Sequence, residues 1–115
     1  MTAVTIYHNP RCSKSRQTLE ILESRDLDVD IVLYLETPPD QSTLRDIVGK
    51  LGVAAMDIVR TGEDEYKISG LSKDASDADA IEAIVKAPKL LQRPIVVCGN
   101  QARVGRPPES VLAIL

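Results

Sequence analysis

Cys12 is the side chain with the most chemistry to offer, and its neighbours decide whether it uses it. It follows Asn9-Pro10-Arg11 and precedes Ser13-Lys14-Ser15-Arg16, so an apolar run ends in a turn and the thiol stands where a helical pattern begins. A thiol is a useful nucleophile at neutral pH only when its thiolate is stabilised. The free N–H groups and partial positive charge of a helix start do that, as do nearby cations, here Arg11, Lys14 and Arg16. His8, Ser13 and Ser15 are placed to donate a hydrogen bond to a thiolate or to an anion held against the same turn, of which Asn9 is part. The same residues also accommodate an inert, half-buried cysteine beside a histidine with a local hydrogen bond. Because position 15 is serine, there is no C-x-x-C pair, and any redox cycle through Cys12 must recruit a thiol from elsewhere.

Three arginines stand at element boundaries. Arg60 ends a short helical stretch, Arg93 precedes Pro94, and Arg106 lies between Gly105 and Pro107. Planar guanidinium groups suit a tetrahedral oxyanion, although for arginines taken singly ordinary surface charge is the commoner role. Spacing alone does not bring them together.

The elements that must position these groups follow from periodicity. Val4–Tyr7 reads as a strand whose apolar composition favours an internal position, and about Ser13–Arg25 as a helix with Leu19, Ile21 and Leu22 on one side. Asp28–Tyr34 is a second strand, which makes a β-α-β unit with a parallel crossover. After Pro38-Pro39, Leu44, Ile47, Val48 and Leu51 mark a helix capped by Ser42 or Thr43. Ala54–Arg60 is a shorter helical candidate, and Tyr66–Leu71 is ambiguous between turn and helix. Ser76 opens a helix carrying Ile81, Ile84 and Val85, which Pro88 closes or follows with a new turn. Ile95–Cys98 and Ala102–Val104 flank Gly99-Asn100 as an edge hairpin, and Pro107-Pro108 enters a final helix with Val111, Leu112 and Leu115. The expectation is an α/β fold: one domain over residues 1–115, a small mixed sheet with flanking helices, and a helical insertion around 40–90.

Global features narrow the setting. The 115 residues suffice for one modest core, and the net charge of −3 with both signs interspersed argues against a nucleic-acid partner. There is no Trp or Phe to stack on bases. Two cysteines, Cys12 and Cys98, make no disulfide framework, and neither a leader nor a membrane-length apolar run is visible, so a cytoplasmic protein with no membrane partner is expected. Cys98 is expected to be a buried strand cysteine. No metal is expected, because one histidine and no ligand spacing offer nothing to hold it. A monomer is the simple expectation in the absence of a heptad pattern.

The whole pattern resembles the arsenate reductase family that uses glutathione and glutaredoxin, built on a thioredoxin-like fold. The resemblance rests on His8-Asn9-Pro10-x-Cys12, Leu33-Tyr34 with Pro38-Pro39, Arg93-Pro94-Ile95-Val96 and Gly105-Arg106-Pro107. It is nearest to a branch with the Arg11-Cys12-Ser13-Lys14-Ser15 loop, and Gly105 stands where well-known members often have cysteine. The resemblance implies that Cys12 is the nucleophile, that Arg60, Arg93 and Arg106 surround and bind its oxyanion, and that Pro94 follows a cis peptide bond. It implies no tightly bound cofactor, with glutathione as thiol cosubstrate and glutaredoxin as protein partner. The substrate is arsenate or a similar oxyanion.

The reaction so implied begins with Cys12 attacking arsenic. Glutathione then forms a sulfur–arsenic–sulfur adduct, arsenic falls from the five-valent to the three-valent state, and glutaredoxin resolves the mixed disulfide. His8 and Ser15 tune or orient the loop. Two other readings remain open on the residues: a glutathione-linked thiol oxidoreductase with another substrate, and a non-catalytic thioredoxin-like regulator that binds RNA polymerase or another protein.

Overall fold

The computed structural model describes residues 2–115. They divide into two units, one comprising the chain up to Thr37 together with Arg93–Leu115, the other Pro38–Gln92.

The first unit is built on a four-stranded sheet. Its strands are β1 (Thr2–His8), β2 (Leu27–Leu33), β3 (Ile95–Cys98) and β4 (Gln101–Val104), in the order β2-β1-β3-β4. The apolar β1 is internal, as its composition requires. It pairs in parallel with β2 and antiparallel with β3. Val4 and Ile6 alternate onto one face of β1 and bury against Val96 of β3, Leu22 of helix α1 (Ser13–Glu23), and Val111 and Ile114 of the closing 3₁₀ helix Pro108–Ile114.

Several boundaries differ from the expected ones. Helix α1 stops at Glu23 rather than Arg25, because Ser24 turns its hydroxyl back to the Ile21 carbonyl at 2.8 Å. Strand β2 begins and ends one residue early. Its register runs from Thr2↔Leu27 to His8↔Leu33, so Tyr34 lies beyond the last residue β1 can pair. The hairpin turn is as read, with Gly99 at φ +60°, the left-handed first position of a two-residue loop that only glycine adopts without cost. Cys98 is half-buried rather than buried, since the pleat turns it toward the Val96 side while the exposed turn follows at once.

The second unit is helical. Helix α2 (Gln41–Leu51) is capped by Asp40, not by Ser42 or Thr43. Asp40 Oδ1 accepts the Thr43 N–H at 2.8 Å, and this bond, reinforced by the Thr43 hydroxyl, holds the carboxyl below the usual carboxylate range. Gly52, at φ +70°, ends α2 in a left-handed cap. The ambiguous segment folds as α3 (Asp64–Ser69), and Ser76 caps α4 (Asp77–Lys86) through Asp79 N–H. Helix α4 packs on α2 and on the 3₁₀ turns Ala55–Ile58 and Pro88–Leu90, burying Leu44, Ile47, Ile58, Ile81, Ile84 and Leu90. Among the described residues no helix is long and apolar enough to cross a membrane.

Candidate active site

The turn that carries Cys12 is held by its own polar groups. Asn9 Oδ1 accepts the Arg11 N–H at 3.0 Å, the Asn9 carbonyl accepts the Cys12 N–H at 3.0 Å, and Arg16 Nη1 donates to the Pro10 carbonyl at 2.9 Å. Such side-chain and backbone bonding fixes a turn in one conformation.

Cys12 is therefore the N-cap of α1, with extended backbone at φ −95° and ψ 123°. At that position a serine or aspartate oxygen ordinarily accepts the free N–H groups of the first turn. Here the thiol stands in that position without making a capping hydrogen bond, so the first-turn N–H groups are left facing it. Burial works against ionisation of Cys12, but the nearby Ser15 N–H, Arg93 side chain and Lys14 N–H favour the thiolate and, with the Arg93 charge, hold the thiol below its ordinary value of 9.0. Lys14 thus acts through its backbone, while the guanidinium of Arg16 is directed at Pro10 and Ser13 is an exposed residue at the first helical position.

Behind the sulfur lies a buried polar pair. His8 Nδ1 and Ser15 Oγ are 2.6 Å apart, and Ser15 Oγ also accepts the Asn9 N–H at 3.0 Å. Burial, opposed by Glu23 and aided by Arg16, depresses the His8 pKa below 6.5, so the ring is neutral at pH 7. One serine therefore joins strand end, turn and helix: its hydroxyl ties β1 to the loop and its N–H faces the reactive sulfur.

The last third of the chain supplies the cations. Arg106 Nη2 donates to Cys12 Sγ at 3.5 Å across 94 residues of sequence, and its Nε donates to the Arg93 carbonyl at 2.8 Å. Arg93 bonds the sulfur as well and lies beside the fully buried Tyr34. The peptide bonds Arg93–Pro94 and Arg106–Pro107 are both cis, and the Gly105 N–H donates to the Pro94 carbonyl at 2.9 Å. Gly105 is where the two segments meet α1. A Cβ there would fall 2.5 Å from Thr18 Oγ1 and 2.7 Å from Pro94 Cγ, so the backbone approaches as closely as glycine permits.

The structure thus gathers His8, Asn9, Cys12, Ser15, Arg93 and Arg106 around one sulfur. Arg60 belongs to the second unit, where it pairs with Glu63 at 3.2 Å and donates to Gln92 Oε1 at 3.1 Å. Two participants escaped the residue-by-residue reading. Tyr34 offered one signal, as a rare aromatic after an apolar run. Thr18 offered none, because its contacts with Gly105 are made across the fold. Among the described residues no group of three or more His, Cys, Asp or Glu side chains is arranged to hold a metal.

A sulfur held by N–H groups and guanidinium groups can attack an electrophile and leave again as a thiolate, and those donors also suit an oxyanion. Known proteins resemble this one in sequence and architecture. A protein of Escherichia coli K12 called "Uncharacterized protein YfgD" is 51% identical over 97% of this chain and 96% of its own length. An arsenate reductase of Neisseria meningitidis serogroup A is 49% identical over the whole of both chains. The solved structure of an arsenate reductase from Vibrio cholerae superposes with a TM-score of 0.94 at 45% identity, covering 99% of this chain and 98% of the other. Its likeness carries the thioredoxin-like arrangement of sheet and helices expected from sequence. The ArsC family model matches residues 7–114, and with full-length relatives at this identity the chain belongs to the ArsC family.

Proposed function

We propose that the protein reduces arsenate to arsenite through Cys12, with glutathione as thiol cosubstrate and glutaredoxin as the protein that resets it. What supports the reading most is the convergence of the Arg93 and Arg106 side chains with the Lys14 and Ser15 N–H groups on Cys12 Sγ. Relatives named arsenate reductases point to the same substrate.

In this reading the Cys12 thiolate attacks arsenic, an As–S bond forms, and one arsenate oxygen leaves as water. The remaining oxygens take hydrogen bonds from Arg93 and Arg106, which strengthen as charge redistributes. Arg60 is assigned by resemblance as a third oxyanion ligand. Glutathione then displaces a second arsenic-bound oxygen as water through its thiol, giving a sulfur–arsenic–sulfur adduct. As the two sulfurs join in a disulfide both As–S bonds break, one electron pair forming the S–S bond and the other staying on arsenic, which falls from the five-valent to the three-valent state and departs as arsenite. A glutaredoxin thiolate finally attacks the mixed disulfide and frees Cys12 as a thiolate. His8 and Ser15 hold the loop, Asn9 closes its turn, and no resident metal or cofactor enters the cycle.

The test is direct measurement of arsenite from purified protein and arsenate, with and without glutathione and glutaredoxin. Arsenite should require both thiols and disappear in Cys12→Ser. Undiminished arsenite from Cys12→Ser, or none from the wild type with both donors present, sinks the proposal.

A further inference from the structure

A groove of about 350 Å³ lies between the Cys12 turn and the segment that follows β2. Asn9, Pro10 and Arg11 form one side, and Leu33, Leu35 and Glu36 the other. Leu35 is 43% exposed, one of few large apolar side chains so open to solvent. Arg11 and Glu36 are both exposed and carry opposite charge, yet among the described residues neither takes part in an ion pair. Opposite charges that line one groove without meeting leave room between them for a ligand that carries both. Each is anchored by its backbone. The Arg11 N–H is bound by Asn9 Oδ1, and the Glu36 N–H by the Leu33 carbonyl at 2.9 Å. Cys12 is the next residue after Arg11.

We propose that this groove seats the α-amino-acid end of the thiol that attacks adducts of Cys12, its carboxylate on Arg11, its ammonium on Glu36 and its aliphatic stem on Leu33 and Leu35. The proposal rests on the preceding reading of Cys12 as a sulfur exchanged with an outside thiol, and it adds what that thiol must carry. A volume of this size holds a short peptide fragment rather than a protein surface. Thiols with both an ammonium and a carboxylate at the γ-glutamyl reach, such as glutathione and γ-glutamylcysteine, are preferred over N-glutarylcysteine, which has the same reach without the ammonium, and over 2-mercaptoethanol, which lacks both.

The experiment uses a Cys12 adduct made without arsenic. Methyl methanethiosulfonate converts Cys12 to its methyl disulfide. An incoming thiolate attacks the methylthio sulfur, forming a new S–S bond as Cys12 leaves as a thiolate with the electron pair; the incoming thiol is oxidised and its proton goes to solvent. Rates of release are compared in Cys98→Ala protein for the four thiols, each normalised to its own reaction with a small-molecule disulfide. Arg11→Gln should slow glutathione, γ-glutamylcysteine and N-glutarylcysteine by roughly threefold to tenfold, whereas Glu36→Gln should slow only glutathione and γ-glutamylcysteine. Glu36→Gln should leave 2-mercaptoethanol unaltered, and Arg11→Gln, which also removes a charge beside Cys12, should slow it less than the charged thiols. S-methylglutathione, which cannot react, should shift amide resonances of Arg11, Leu35 and Glu36 in Cys12→Ser protein. Unchanged rates in both variants, equal slowing of all four thiols, or shifts confined to other residues overturn the groove assignment. Arsenite production is not among these readouts, so a groove that behaves as stated in a protein that makes no arsenite separates failure of the function from failure of this site.

Discussion

Cys12 and Cys98 belong to the same unit and are both half-buried, yet they face different surroundings. Cys98 ends β3 opposite Gln101 and packs beside the Val4–Ile6–Leu22 cluster. Cys12 caps a helix and receives backbone N–H groups and two guanidinium groups. Exposure therefore does not separate a working thiol from a structural one; the donors aimed at the sulfur do. The largest effect follows directly. With iodoacetamide near about pH 7, Cys12 should be alkylated at least about tenfold faster than Cys98, read by peptide mapping at short times. Equal rates would remove the distinction.

The next effect tests which donors create the difference. The folded pKa of Cys12 lies below 9.0, so removing a bonding cation moves it upward, lowers the thiolate fraction at neutral pH, and leaves little difference well above 9.0, where every form is ionised. Arg93→Ala removes both a hydrogen bond and a charge and should slow alkylation of Cys12 by about threefold or more near neutrality. Arg106→Ala, whose contact is longer at 3.5 Å, should do less. A pH–rate profile for each variant checks both statements, with Cys98 as the internal standard that should not move.

Gly105 links the two halves of the site through its close packing on Thr18 and Pro94 and its N–H bond to the Pro94 carbonyl. Alanine there must displace Thr18, whose hydroxyl donates to the Lys14 carbonyl at 2.8 Å, or the Pro94 ring. Thr18 is fully buried, and crowding of this kind costs about 1–3 kcal/mol. Gly105→Ala should lower the denaturant midpoint and slow Cys12 alkylation, because α1's first turn carries the N–H groups that face the sulfur. Double replacement with Thr18→Ala should restore part of both losses.

Local features were the legible ones. The apolar Val4–Tyr7 strand, the Leu19–Leu22 stripe, the Ser76 cap and the Gly99-Asn100 turn each depend on a few neighbouring residues, and each is found where the residues place it. Cys12 at a helix start is local too. Asp40 displaced the expected caps because an N-cap side chain must reach the N–H three residues on, and the N–H that is bonded is that of Thr43, which lies three residues after Asp40. The end of β2 is set by where β1 runs out, which β2's own sequence does not record. The meeting of Arg106 with Cys12 spans the chain, so it entered the reading only through family resemblance, and the Thr18–Gly105 contact had no counterpart in sequence at all.

The smallest effect concerns the histidine behind the loop. Burial depresses the folded pKa of His8 below 6.5, so as pH falls the unfolded chain binds this proton before the folded one does. The stability the neutral ring contributes is complete above 6.5 and is lost as pH drops below it. Between about pH 7.5 and about pH 5 the wild-type melting temperature should fall more steeply than that of His8→Gln, by about 1–3 °C. The loss should also be local, since the proton disturbs the Ser15 hydroxyl that holds Asn9 and positions the helix start. Amide exchange at Asn9 and Ser15 should accelerate on acidification while Val96–Cys98 in β3 stays protected. Uniform acceleration across both segments would mean that His8 supports the whole unit rather than the loop of one cysteine.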